Sequence, residues 1–101
     1  MAEVRVRLYG FGLPELERDM ARDGFVAVRT RGAVTALTIL SGLAERYGEA
    51  FRRTVLPDGR HPGVRVFVDS EPVQNPNAPL DSRLTPGSEV SVVVLAAMSG
   101  A

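Results

Sequence analysis

Few residues of this chain have the types and spacing that chemistry requires. Its single histidine, His61, sits in DGRHPG, and neither a Ser-His-Asp relay nor a histidine metal cluster can be assembled around it; a solvated loop residue is the better reading. Gly10-Phe11-Gly12 invites a nucleotide-binding fingerprint. However, Glu15 stands where the third glycine of G-x-G-x-x-G belongs, and no strand-helix-strand unit follows. The carboxylates Glu15, Glu17, Asp19 and Asp23 are interleaved with Arg18 and Arg22, which describes a charge-balanced, solvated segment. The chain has no cysteine, hence no thiolate nucleophile, disulfide framework or cysteine metal site. That leaves the C-terminal stretch VVVLAAMSGA. It drives a strand-like run, Val92 to Leu95, into a short tail of small residues ending Ser99-Gly100-Ala101. Such a tail is ordinarily a fraying terminus, but it can also be the working part.

The elements that would position this tail are legible from periodicity. With 101 residues, 45% of them hydrophobic, the chain is large enough to bury one core without staples. Val4, Val6 and Leu8 alternate with Arg5, Arg7 and Tyr9, the two-residue period of a half-buried strand. A second such run spans Phe25 to Arg31, with Val26, Val28 and Thr30 on one side and Ala27, Arg29 and Arg31 on the other. Between them, Leu13, Leu16 and Met20 are spaced for one side of a short helix, with Pro14 near its start and Gly24 past its end. From Val34 the period becomes helical. Leu37, Leu40, Leu43, Ala44 and Tyr47 fall on one face, Thr35 is placed as N-cap and Gly48 as stop. Gly42 lowers helix propensity, so close packing against the sheet is its expected purpose.

Glu49 to Leu56 extends the helical region by a turn or two. Val64, Val66 and Val68 mark a third strand, and Glu89 to Leu95 a last one whose valines suit a central position. The stretch between these two strands is turn chemistry with Leu80 and Leu84 as anchors. The expected architecture is a small α+β domain over residues 1–95, with 96–101 as a flexible tail. Twelve basic and twelve acidic side chains cancel, so the overall charge recommends neither nucleic acid nor membrane. MAEVRVRLYG does not read as a signal peptide and no stretch approaches bilayer length, so a soluble, cytoplasmic protein is expected.

This order, with the helix GLAERYGEAF, the strand-turn VRVFVDSEPV and the ending LTPGSEVSVVVLAAMSGA, resembles the ubiquitin-like β-grasp sulfur carriers. These are the MoaD-like small subunits of molybdopterin synthase and the ThiS carriers of the thiamine pathway. The resemblance spans nearly the whole chain. It implies a mixed sheet of about four to five strands with one main helix packed across it. It also implies a carrier and not an enzyme. An adenylating partner of the MoeB or ThiF type uses ATP on the C-terminal carboxylate, sulfur replaces an oxygen, and the thiocarboxylate is delivered to a biosynthetic partner. For MoaD-like proteins that partner is the large, MoaE-type subunit, and no cofactor or metal is bound by the carrier itself. The helix and third-strand segments look more like MoaD than the shorter ThiS.

Carried over by position, Ala101 bears the reactive carboxylate and Gly100 matches the penultimate glycine, with Ser99 before it. The family ends in Gly-Gly; Ala101 places a methyl group in that last position. Three readings stay open: the partner tolerates alanine, Ala101 is trimmed, or the chain is a β-grasp interaction domain that no longer carries sulfur. Strand parity puts Arg5, Arg7, Arg29 and Arg31 on the solvent face of the opening hairpin, with Phe67, Val93 and Leu95 beside them. Together with Met98 in the tail, they form an expected partner-docking surface. Arginines that merely keep an antiparallel sheet soluble are the competing explanation.

Overall fold

Alternation of valine with arginine produces strands in which one row of side chains is buried and the other is not. In the computed structural model, which describes residues 2–57, 63–85 and 88–94, β1 (Ala2–Tyr9) buries Val4, Val6 and Leu8 and exposes Glu3, Arg5, Arg7 and Tyr9. It leads into α1 (Pro14–Asp23), which starts with proline in its first turn. The helix stops at Gly24, in left-handed conformation (φ 79°), whose N–H donates to the Met20 carbonyl at 2.7 Å. Leu16 is its buried residue. Strand β2 (Val26–Thr30) follows, antiparallel to β1 in one-to-one register from Ala2↔Thr30 to Val6↔Val26.

Helix α2 (Ala36–Tyr47) opens with a reciprocal cap: Thr35 Oγ1 accepts from the Thr38 N–H at 3.1 Å and Thr38 Oγ1 from the Thr35 N–H at 2.8 Å. This is the capping-box arrangement with threonine in the position usually held by glutamate. The helix closes at Gly48 (φ 92°), and α3 (Glu49–Val55) turns away from it. Gly42 has the expected purpose: a Cβ added there would lie 2.7 Å from Val28 Cγ1, so only a bare backbone lets α2 sit this close to β2. Ile39, Leu40, Leu43, Phe51 and Val55 are fully enclosed between the helices and the sheet.

Strands β3 (Val64–Val68) and β4 (Glu71–Pro72) form a hairpin whose two turn residues, Asp69 (φ 49°) and Ser70 (φ 73°), both take left-handed conformations. This is the backbone that matches the twist of a two-residue hairpin. Asp69 is also tied to the approach of the last strand: its N–H donates to the Glu89 carbonyl (2.8 Å) and its Oδ1 accepts from the Glu89 N–H (2.9 Å). Strand β5 (Val90–Val94) runs parallel to β1 and antiparallel to β3, giving one mixed sheet in the order β2-β1-β5-β3-β4. The last strand is therefore central, as its valines require.

The irregular stretch before β5 is pinned to the start of α2. Leu80 N–H donates to the Val34 carbonyl (2.6 Å), Asp81 Oδ2 accepts from the Val34 N–H (3.1 Å), and Leu37 N–H donates to the Pro76 carbonyl (3.2 Å). Leu80 is buried and Leu84 packs against the core. The fold is thus α+β, with five strands and three helices among the described residues, α2 the longest of the three.

Candidate functional site

Because α2 and α3 cover one face of the sheet, side chains of the opposite parity have no helix above them among the described residues. Strand pairing arranges them in rows. Arg7, Ser91, Phe67 and Pro72 stand opposite one another across β1, β5, β3 and β4. The next row is Tyr9, Val93 and Arg65 across β1, β5 and β3. Phe67, Ser91 and Val93 are half-buried, Arg7 and Arg65 are exposed, and Tyr9 is the exposed large apolar residue of the described chain at 45%. A half-buried apolar strip with an aromatic at its end and guanidiniums at its margin has the composition of a docking surface.

Its electrostatics are local. Arg5 stacks over the Phe25 ring at 4.7 Å, and Arg7 Nε lies 3.4 Å from Glu89 Oε1 with both side chains about half exposed. These four residues and Ser88 surround a depression of about 160 Å³. A pair this exposed holds its geometry weakly, contributing on the order of 0–1 kcal/mol, and leaves its guanidinium available to a partner's carboxylate. Among the described residues, Arg5, Arg7, Arg29 and Arg65 share this face with the carboxylates of Glu3 and Glu89.

Of the expected docking residues, Phe67, Val93, Arg5 and Arg7 come together. Arg29 is on the same face but on the edge strand, opposite Glu3 and 3.7 Å from its carboxylate, away from the Phe67 row. Arg31 lies past the end of β2 at Thr30, so strand parity does not extend to it; with Arg29 it lines a groove against Leu37, Thr38 and Ser41 of α2. Leu95, Met98, Ser99, Gly100 and Ala101 lie outside the described residues, as does His61. Tyr9 and Arg65 are the residues that sequence reasoning missed. The signal for Arg65 was present in the alternation Val64-Arg65-Val66.

A second charged cluster lies on the helical side. Asp19 accepts from the Tyr47 hydroxyl (2.7 Å), from Arg46 (3.2 Å) and from Arg22 (3.3 Å). The Tyr47 hydrogen bond, with the Arg46 and Arg22 charges, holds the Asp19 carboxyl below its ordinary value despite an opposing contribution from burial. Burial, then the bond to Asp19, pushes the Tyr47 phenol above its ordinary range. Asp19 is therefore not merely a solvated charge, as its sequence context suggested. It fastens α1 to α2 beside the Phe11–Phe51 stack (ring centroids 5.1 Å apart) and Tyr47, 5.5 Å from Phe51. Phe11, from the Gly-Phe-Gly stretch, is thus a buried packing residue.

Among the described residues no group of three or more His, Cys, Asp or Glu could hold a metal, and no helix is long and apolar enough to cross a membrane. No protein-family model matches the chain, and no curated protein matches its sequence.

Proposed function

We propose that the chain is a sulfur carrier of the MoaD and ThiS type, nearer to the small subunit of molybdopterin synthase, bearing sulfur as a thiocarboxylate on Ala101. The observation that carries this reading is the position of β5. The strand lies in the middle of the sheet, flanked by β1 and β3, and its last pairings are with Tyr9 and Val64. Residues 95–101 follow it directly in sequence, and the strand they follow pairs through Val93 with Tyr9 of the open face. The order β2-β1-β5-β3-β4, with first and last strands parallel and one main helix across a single face, supports the β-grasp reading.

On this reading the adenylating partner, of the MoeB or ThiF type, joins an Ala101 carboxylate oxygen to the α-phosphorus of ATP, and pyrophosphate leaves. A sulfide donor then attacks the acyl carbon and AMP leaves, so one carboxylate oxygen is exchanged for sulfur. The carrier supplies no acid or base; it presents the carboxylate and docks through Phe67, Val93, Tyr9 and the flanking arginines. The receiving partner is a MoaE-type large subunit.

Ala101 favours a second reading, a β-grasp interaction domain that binds through the same face without carrying sulfur. ATP–pyrophosphate exchange by such an adenylating enzyme separates the two. A carrier stimulates exchange, and removal of residues 98–101 abolishes the stimulation. No stimulation, by an enzyme active on another carrier, would leave the interaction domain.

A further inference from the structure

The two outer edges of the sheet are built differently. Strand β4 is two residues long and ends in Pro72. Arg83 covers it, donating to the Glu71 carbonyl at 3.3 Å and lying 3.7 Å from the Glu71 carboxylate. Brevity, proline and a covering charge are devices that stop a sheet from pairing further. Strand β2 is neither brief nor closed by proline, and its charge is Arg29. It is five residues of unbroken register with β1, contains no proline, and has no strand on its outer side among the described residues. Alternate residues of an edge strand point their N–H and C=O groups outward.

A groove runs along this edge between β2 and α2. Its two parts enclose about 490 and 370 Å³ and share Arg29, Gly42 and Glu45. Its walls are low because α2 presents Ser41 and Gly42 there, with half-buried Leu37 as the apolar contact. Arg31 stands at the Leu37 end, Arg46 at the other and Arg29 along both, against Glu45 as the lining carboxylate among the described residues. The Arg29–Glu3 pair, 3.7 Å apart with both side chains more than half exposed, is exchanged at little cost.

We propose that this edge accepts an extended segment of a partner protein as a sixth strand, with carboxylate side chains of that segment held by Arg29 and Arg31. Main-chain hydrogen bonds supply the affinity of strand addition and the flanking side chains its selectivity. A second copy of this chain would bring its own Arg29 and Arg31 to the same edge and meet like charge, whereas an acidic strand meets its opposite. The proposal does not rest on the carrier reading: it uses neither the tail nor the Phe67 row, and of the open-face residues it shares Arg29 alone.

The test is an NMR titration of the full chain with a blocked heptapeptide of alternating valine and glutamate, beside the same peptide with lysine in place of glutamate. Shifts concentrated at residues 26–31 and 37–46, with slowed exchange of outward β2 amides, are expected. Arg31→Glu, which lies outside the strand, and Arg29→Gln should together weaken the glutamate peptide about tenfold, with thermal melting showing both variants folded. The lysine peptide should bind the native chain less well than the glutamate peptide. The proposal is overturned by no shifts at millimolar peptide, by shifts centred on Phe67 or on β4, by equal binding of the two peptides, or by sedimentation showing that β2 pairs copies of the chain instead.

Discussion

On one face of the sheet Val4, Val6, Val26, Val66, Val90 and Val92 are sealed beneath α2 and α3; on the other, Arg5, Arg7, Tyr9 and Arg65 stand in solvent around half-buried Phe67 and Val93. The same strands and the same two-residue period generate both. The sealed face tolerates no spare atom, as the 2.7 Å approach of a Gly42 Cβ to Val28 shows. The open face instead keeps apolar area at its centre and exchangeable ion pairs at its rim. One set of side chains makes the fold; on the carrier reading the other is the surface a partner docks on, so substitutions on the two faces should separate stability from binding.

The largest stability loss belongs to the sealed face. Leu40→Ala, at a fully buried position, should cost about 2–5 kcal/mol in denaturant unfolding. Gly42→Ala comes next. Overpacking against Val28 costs about 1–3 kcal/mol, partly offset by the roughly 1 kcal/mol helix preference of alanine over glycine. Adding Val28→Ala should recover part of the loss as a measurable coupling in a double-mutant cycle. If Gly42→Ala proves stabilising on its own, the close approach of α2 is not a constraint.

Thr30 sharpens the comparison from the opposite direction. Its hydroxyl is buried with no hydrogen-bond partner among the described residues, so Thr30→Val should raise stability by about 1 kcal/mol. A loss would reveal a partner for the hydroxyl. Asp19 contributes through pH. Its folded pKa is depressed from 3.8, so its contribution is present above that value and is lost as pH falls through the lower folded one. Tyr47 is raised from 10.0, so its contribution is full below that value and fades as pH rises past it. Asp19→Asn should flatten the acid limb and Tyr47→Phe the alkaline limb of a melting-temperature profile. Unchanged limbs would remove the fastening role of the pair.

The smallest stability effects belong to the open face. Arg7→Glu and Phe67→Ala should shift unfolding less than Leu40→Ala does, with Arg7→Glu within about 0.5 kcal/mol, while, on the carrier reading, weakening association with the proposed adenylating enzyme. Charge reversal at Arg29, on the edge strand, should weaken that association less than reversal at Arg7. Equal effects at the two positions would spread the docking surface over the whole face.

Local signals carried much of this architecture. Thr35, Gly48, Gly24 and the valine alternations mark their elements because caps and side-chain parity depend on neighbours a few residues away. Gly42 was legible for the same reason: a glycine inside a helix needs a packing explanation. Strand β4 was not, since its two residues exist as a strand only through pairing with Phe67 and Val68. Nor was the Asp19–Tyr47 bond, which joins residues 28 positions apart, or the Arg5–Phe25 stack. The expected helix face omitted Ile39, which is fully buried because α2 is covered on more than one side, by the sheet and by α3. On the open face, the parity that placed Arg5, Arg7 and Phe67 failed at Arg31 because a period holds only as long as the strand. The proposed carrier end, Ser99, Gly100 and Ala101, comes from resemblance and sequence position.

The carrier reading is tested most directly by intact-protein mass spectrometry after incubation of the chain with ATP, a sulfide donor and a MoeB- or ThiF-type enzyme shown to be active on another carrier. A mass gain equal to the replacement of one oxygen by sulfur, mapped to the peptide ending in Ala101 and reversed by hydrolysis, is the predicted result. Folded protein of unchanged mass, while the other carrier is converted in the same mixture, would contradict it.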